Sequence, residues 1–184
     1  MARYHQTFSG KTQDFLIRNA EGNDAQKVVD YLTQVMGETI FLSMYPDECA
    51  AKFSLEKERE LLTEWADSEN TLSLVAETSD GQIAGSCNCS YSTDRRRYRH
   101  QATLAISVRK DFQSQGIGRK LMETQIEWCC AQGIEKLCLD VHTTNTKAIG
   151  LYLSVGFVVE GTLHRAIKLD DGTYRDLYQM AKFL

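Results

Sequence analysis

The part of the sequence best suited to chemistry is residues 106–121, where a strand passes through a polar loop into a helix. Two glycines, Gly116 and Gly118, stand at the start of that helix. A helix N-terminus has unpaired N–H groups and the positive end of a dipole, and glycine lets an anion approach the backbone. Arg119 and Lys120 add positive charge nearby. The segment therefore predicts a phosphate site; the alternative is that the glycines only permit a tight turn.

Several other reactive constellations do not occur in the sequence. Residue 121 is not the third glycine of a dinucleotide-binding loop, and there is no GxxxxGK[ST] sequence. Because HExxH and clustered Cys/His spacings are also missing, no metal ligands are predicted. No cysteine lies in an obviously electropositive turn, which argues against a Cys–His nucleophile. The scattered histidines are interpreted as ordinary surface or core residues: His5, His100, His142 and His164.

Hydrophobic periodicity and turn residues predict the elements that position this loop. Residues 37–52 contain the single proline, Pro46, and no clear period, so they are predicted as a loop or a broken helix. Residues 1–13 are predicted as a loose polar tail and residues 14–184 as one domain. This order predicts a mixed sheet with helices on both faces. Strands are predicted at 14–20, 71–77, 82–91, 101–108, 136–142, 157–168 and 173–183, and helices at about 24–36, 54–66, 116–131 and 145–155.

Composition indicates an ordinary globular protein. The 184 residues are 42% hydrophobic and 25% charged, with a net charge of −4, so nothing attracts the chain as a whole to nucleic acid or acidic lipids. No apolar run is long enough for a membrane helix, and residues 1–12 lack the apolar core of a secretory signal. We expect a cytoplasmic protein with buried free thiols at Cys49, Cys87, Cys89, Cys129, Cys130 and Cys138.

Two motifs in this chain resemble those of a known enzyme family. Gln113-x-x-Gly116-x-Gly118, after a strand ending at Val108, is similar to the Q/R-x-x-G-x-G/A coenzyme A motif of the GNAT superfamily of N-acetyltransferases. The segment 145–157 is similar to the family's N-x-x-A-x-x-L-Y-x-x-x-G-F sequence. The resemblance implies an α/β (α+β) fold with a mixed, mostly antiparallel central sheet flanked by helices on both faces. Bacterial ribosomal-protein and polyamine acetyltransferases look nearest.

The resemblance also implies acetyl-CoA as co-substrate, with no metal. The end of the strand would splay from its neighbour and pair with the pantetheine arm, while the loop amides and the adjoining cations would hold the pyrophosphate. Arg109 is a weaker candidate for the same phosphates. Asn145 matches a family position that hydrogen-bonds the cofactor, and it is also suited to capping a helix. The residues implied are Ile106, Ser107, Val108, Gln113, Ser114, Gln115, Gly116, Ile117, Gly118, Arg119, Lys120 and Asn145.

Tyr152 matches the family's usual general acid. It follows Asn145 by seven residues, two helical turns along the same face. A leaving thiolate gains by being protonated, and a phenol can supply the proton. Glu38 is a candidate general base for the acceptor amine, directly or through water. Asp47 and Glu48 are interpreted as groups that attract a cationic substrate.

The acceptor is predicted to be a primary amine of a small molecule or a peptide. Residues 38–52 and the hairpin at 164–178 should shape its pocket. A non-catalytic module that binds acyl-CoA is the alternative function. The basic run 95–99 is interpreted as a solvated loop, with the coenzyme's 3′-phosphate, an acidic partner or RNA as alternatives. The resemblance allows a homodimer; nucleic acid and membrane partners are not expected.

Overall fold

The computed structural model describes residues 3–48 and 54–184. Its strands and helices follow the predicted order closely, with one additional strand at the start. The strands are β1 His5–Ser9, β2 Asp14–Asn19, β3 Thr71–Thr78, β4 Ile83–Tyr91, β5 Gln101–Val108, β6 Lys136–His142, β7 Val158–Lys168 and β8 Tyr174–Phe183. The helices are α1 Ala25–Glu38, α2 Leu55–Asp67, α3 Ile117–Ala131 and α4 Thr146–Ser154.

The described strands form one mixed sheet in the order β1-β2-β3-β4-β5-β6-β8-β7. Every neighbouring pair is antiparallel except β5 and β6, which are parallel. A parallel pair needs a crossover connection, and α3 provides it. The predicted mixed, mostly antiparallel sheet is confirmed.

The start of the chain corrects the predicted tail. His5–Ser9 pair with Asp14–Arg18 as an antiparallel edge strand, so the sheet begins before residue 14. The sequence of His5–Ser9 is short and polar and shows little hydrophobic alternation, so it does not predict a strand. The segment forms one because it pairs with the edge of β2. Phe15 and Ile17 on β2 point into the core, and each is only 1% exposed.

Two apolar clusters lie on opposite faces of the sheet. The larger contains the buried sides of α3 and α4, including Ile117, Leu121 and Tyr152, packed on β2–β6. The smaller contains α1 and α2 residues, including Val28 and Leu62. Helices therefore cover both faces, as predicted. No helix among the residues described is long and apolar enough to cross a membrane.

The cysteines only partly match the predicted buried set. Cys87, Cys89 and Cys129 are buried free thiols, whereas Cys130 is exposed and Cys138 is half-buried; Cys49 lies outside the described residues. Burial raises the pKa of the Cys87 thiol. Cys130 faces solvent because it follows Cys129 by 100° around α3, on the edge of the apolar stripe. A thiol held protonated is a poor nucleophile.

The helices on the second face begin in different ways. Ser54 caps α2, because its hydroxyl accepts a hydrogen bond from Lys57 N–H at 3.3 Å. Asp24 stands at the N-cap of α1, but its carboxylate accepts from both guanidinium NH groups of Arg18, at 2.6 and 2.7 Å. Arg18 also contacts Glu77 at 2.7 Å. Asp24 thus ties α1 to the sheet instead of capping the helix.

Candidate active site

The parallel strands β5 and β6 separate shortly after they begin. Only Gln101–Thr103 pair with Lys136–Cys138, although both strands continue for several more residues. The segment 104–108 is paired with β4 on one side and has no strand partner on the other within residues 3–48 and 54–184. This opening holds the predicted strand end, residues 106–108, and it can accept an extended arm that pairs with backbone groups.

The glycine-containing loop and the start of α3 lie at the end of β5. In the described part of the chain no side chain caps α3, and the first backbone hydrogen bond of the helix runs from Lys120 N–H to Gly116 O, at 3.0 Å. The N–H groups of Ile117, Gly118 and Arg119 are therefore left without a helical acceptor. Gly116 has φ +96°, a left-handed conformation that glycine adopts freely. This geometry supports the predicted anion site.

The other loop residues surround this helix start. Ser114 also has a positive φ, +64°, and Gln115 accepts a hydrogen bond from Thr12 Oγ1 at 2.6 Å. Ile117 is buried in the core, so its contribution to a ligand is its backbone. Arg119 donates to Ser154 Oγ at 2.9 Å, and Lys120 is half-buried.

Gln113 connects three parts of the site. Its Nε2 donates to Val108 O at 3.1 Å, and its Oε1 accepts from Lys147 Nζ at 2.8 Å. Lys147 lies in the first turn of α4 and brings a cation to the loop that sequence reasoning did not select. Asn145 caps α4, because its side-chain oxygen accepts from Ala148 N–H at 3.2 Å. The capping role proposed as the alternative for Asn145 is therefore present.

Tyr152 lies inside α4, on the side that packs against the sheet. Its side chain is 7% exposed and lies 6.0 Å from the Phe157 ring, centroid to centroid. Burial raises the pKa of its phenol. No hydrogen bond to the Tyr152 hydroxyl occurs among the residues described. The phenol therefore keeps its proton at neutral pH.

Glu38 lies at the C-terminal end of α1, next to the turn that follows β5. Its Oε2 accepts from Lys110 N–H at 2.6 Å, and its Oε1 accepts from Gln34 Nε2 at 3.0 Å. Both carboxylate oxygens of Glu38 thus accept hydrogen bonds from other groups of the protein. The structure brings Glu38 to the loop that precedes Gln113, which the sequence pattern did not indicate.

Tyr31 is a site residue that sequence reasoning missed. It is buried on α1, and its hydroxyl donates to Ser107 O at 2.8 Å and contacts Ser107 Oγ at 2.7 Å. Tyr31 thereby fixes the end of β5 from the opposite face of the sheet. Its only sequence signal was its place on the apolar side of a helix, which is typical of a core residue.

The two segments predicted to shape the acceptor pocket do meet. Tyr45, in the stretch after α1, accepts a hydrogen bond at its hydroxyl from Asp170 N–H in the β7–β8 turn, 3.1 Å away. Phe41 packs its ring against His142 at the end of β6, with centroids 5.4 Å apart. Glu48 accepts from Tyr45 N–H at 2.8 Å, and Asp47 is exposed. Residues 49–52 lie outside the described residues.

Two predicted cationic contacts lie away from the anion site. Arg109 donates to Gln82 Oε1 at 2.9 Å, and its guanidinium carbon lies 4.9 Å from the centre of the Phe112 ring. The run 95–99 is exposed before the start of β5, whereas the loop follows the end of that strand. An eight-residue strand spans about 26 Å, so the run is far from the loop. This placement disfavours the 3′-phosphate alternative and leaves the solvated loop or a macromolecular partner.

His142 departs most from its sequence interpretation. It is 3% exposed, and neither ring nitrogen has a hydrogen-bond partner among the described residues. Burial lowers the pKa of the imidazole, and the positive charge of Arg175 lowers it further. His142 was interpreted as an ordinary histidine because a sequence does not show which hydrogen bonds a side chain lacks.

The splayed parallel strand pair, with a helix starting at its end, is the arrangement that the resemblance to acetyl-CoA-dependent acetyltransferases implies. The family model described as "Acetyltransferase (GNAT) family" matches residues 39–157. The chain therefore belongs to the GNAT acetyltransferase family.

Individual relatives agree with this assignment. The chain is 32% identical over 104 residues to the L-amino acid N-acetyltransferase AaaT of Escherichia coli (strain K12), covering 56% of this chain and 63% of that protein. It is 44% identical over 66 residues to the [ribosomal protein bS18]-alanine N-acetyltransferase of the same organism, covering 35% and 44%. Both matches span less than two thirds of the relative's length.

A solved structure resembles the whole chain more fully. The GNAT-family acetyltransferase from Streptococcus pneumoniae superposes with a TM-score of 0.85 at 37% sequence identity. The match covers 92% of this chain and 99% of that chain. Nearly the entire fold described above is therefore shared with a GNAT acetyltransferase.

Proposed function

We propose that this protein is an N-acetyltransferase that moves an acetyl group from acetyl-CoA to the primary amine of a small molecule or a peptide. The observation that carries the proposal is the opening between β5 and β6, with the free N–H groups of residues 117–119 at its end. These groups fit a diphosphate, and the unpaired side of 104–108 fits an extended arm. Acetyl-CoA supplies the thioester that carries the acetyl group.

Tyr152 is the proposed general acid. Its protonated, buried phenol gives a proton to the sulfur that leaves when the amine attacks directly in a ternary complex. Lys147, Arg119 and Lys120 are the nearby cations that complement a phosphate-bearing ligand. Asn145 orients α4 through its cap, and Gln113 fixes the loop to β5 and α4.

Glu38 remains a candidate for the base, but its contacts favour a second role. Its carboxylate holds Lys110 N–H and the Gln34 amide, so it is well placed to position the loop. Glu38→Gln keeps an oxygen for Lys110 N–H and removes the basic group. A loss of turnover of about 100-fold in this variant would support a base. Turnover close to that of the wild type would support positioning.

The acceptor class follows the relatives in outline. One relative is named as acetylating L-amino acids and another as acetylating the alanine of a ribosomal protein. We propose an α-amine of an amino acid or a peptide as the acceptor. A cytoplasmic location fits the free thiols. The homodimer stays a prediction, and the molar mass in solution, measured by light scattering, would test it.

A thiol-release assay tests the proposal. Acetyl-CoA is mixed with the protein and a panel of amines: several L-amino acids, an alanine-initiated peptide and a polyamine. Amine-dependent release of free thiol, with the acetylated product found by mass spectrometry, is expected. Calorimetric uptake of coenzyme A without thiol release from any amine would support the non-catalytic alternative. Absence of coenzyme A uptake by folded protein would contradict both.

A further inference from the structure

His142 is a buried polar side chain with no bonding partner in the part of the chain that is described. Its ring is 3% exposed, and both Nδ1 and Nε2 lack a hydrogen bond. A neutral imidazole carries one donor and one acceptor, and leaving both unpaired in a buried place is unfavourable. Buried polar atoms of this kind usually have a hydrogen-bond partner, so we expect a bound ligand to supply the partner.

The position of His142 indicates which molecule that is. It is the last residue of β6, four residues beyond the last pair with β5, and so it lies along the opening between the strands. Leu139 and Val141 face the α3–α4 cluster. Because side chains alternate along a strand, His142 faces the other side, where Phe41 covers it.

The surroundings of His142 separate it from the phosphate end of the site. The charged groups near it are Arg175 on β8 and Asp140, which is exposed two residues earlier on the same side of β6. Two uncharged residues also lie next to His142: Phe41, and Leu177, which is the residue of β8 that pairs with His142 in the sheet. An uncharged, covered ring suits a neutral amine better than a phosphate.

We propose that His142 accepts the proton that the acceptor amine loses during acetyl transfer, directly or through one water molecule. As the N–C bond forms and the C–S bond breaks, the amine nitrogen gives one proton to an unpaired ring nitrogen of His142. Tyr152 gives one proton to the sulfur. Transfer of a proton from His142 to Tyr152 through solvent restores both groups, so the protons balance. This inference rests on the proposed acetyltransferase function.

The protonation state of His142 supports the role. Burial, aided by Arg175, lowers the pKa of the imidazole, so the ring is neutral at neutral pH and can accept a proton. The activity should then fall as the pH drops through this lowered pKa, where the ring becomes charged before the amine arrives.

Variants at three residues, measured with the amine panel, test the inference. His142→Gln removes the basic nitrogen, Glu38→Gln tests the competing base, and His100→Gln alters an exposed histidine before β5 as a matched control. We expect His142→Gln to lower kcat/KM about 100-fold at neutral pH, with unchanged coenzyme A affinity. Protonation of the amine itself also lowers activity in acid, so the variant should keep that fall and lose only the additional fall due to His142. Imidazole in the buffer should partly restore His142→Ala. His100→Gln should behave as the wild type.

Ring-nitrogen NMR gives a readout that does not depend on turnover. With ¹⁵N-histidine in the coenzyme A-loaded wild type, the His142 signals should shift when L-methionine or the alanine-initiated peptide is added, whereas His100 should not. An unshifted His142 ring, or a His142→Gln enzyme whose kcat/KM matches that of the wild type, would overturn the role. Wild-type protein without turnover would instead count against the proposed function.

Discussion

Gly118 on α3 faces Leu151 on α4 so closely that a Cβ at residue 118 would lie 3.0 Å from Leu151 Cδ2. The two helices meet at this point because residue 118 has no side chain. Tyr152 follows Leu151, so the approach also determines where the proposed acid stands. Gly116 acts differently: a Cβ there would contact nothing within 4 Å, but its φ of +96° favours glycine.

Gly118→Ala should lower the free energy of unfolding by about 1 kcal/mol, because the methyl group overpacks the contact with Leu151. Urea unfolding measures the change. Gly150→Ala is the matched control, since a Cβ at that α4 position meets nothing within 4 Å and alanine favours the helix. The control should be neutral or stabilising. Equal destabilisation by both substitutions would contradict the packing explanation.

Tyr152→Phe should reduce kcat about 100-fold while the Kd for coenzyme A stays nearly constant, because the hydroxyl is needed only when the thiol leaves. Steady-state kinetics and calorimetry measure the two quantities. Tyr98→Phe, an exposed tyrosine before β5, serves as the control. Burial raises the pKa of Tyr152, so its ionisation should not reduce wild-type activity in the pH range where an ordinary tyrosine ionises. Unchanged turnover would remove Tyr152 from the mechanism.

Tyr31→Phe should weaken the end of β5. The substitution removes the hydrogen bond to Ser107 O and should lower the free energy of unfolding by about 1 kcal/mol. The Kd for coenzyme A should rise as well, because residues 106–108 border the opening. Denaturation and calorimetry on the same samples measure both effects. A loss of stability with no change in coenzyme A affinity would limit Tyr31 to a purely structural role.

Asp24→Asn should destabilise the protein at neutral pH by about 2 kcal/mol, since the partly buried Arg18 loses one of its two carboxylate partners and keeps Glu77. Burial alone would raise the Asp24 pKa, but the hydrogen bonds from Arg18 and Glu21 N–H outweigh it and lower the pKa. The wild type therefore gains this stability above pH of about 4 and loses it as the pH falls further.

Thermal unfolding from neutral to acidic pH measures the effect of Asp24→Asn. The difference between variant and wild type should shrink below pH of about 4. Asp30→Asn, an exposed change on the same helix, should show little difference at any pH. A difference that persists undiminished in acid would exclude the charge interaction as its cause.

Local patterns anticipated most of the elements. The alternation in 101–108 and 136–142 matches β5 and β6, and the apolar stripe of 116–131 matches α3 within one residue. These predictions succeed because a side chain's face follows from the period of its own element. The anion-binding loop could likewise be predicted, because its signal lies in glycines that are close together in the sequence and that allow an unusual backbone conformation.

Contacts between distant segments could not be obtained in this way. Asp24 stands at the N-cap of α1, but Arg18, the partner that binds its carboxylate, belongs to β2 in the sheet. His5–Ser9 looked like a tail because edge pairing supplies what their own sequence lacks. Cys130 lies at the edge of the apolar face of α3, where a small rotation around the helix axis separates a buried position from an exposed one.

The family, the elements from residue 14 onward and the loop that suits a diphosphate could be predicted from the sequence, because each depends on residues close together in the chain. The folded structure was needed to show that Tyr31 binds Ser107, that Glu38 binds Lys110 and that Lys147 binds Gln113. It was also needed to show that His142 has no hydrogen-bond partner among the residues described. These relationships join residues from separate helices and strands, and their distances and desolvation exist only once the sheet has brought those elements together.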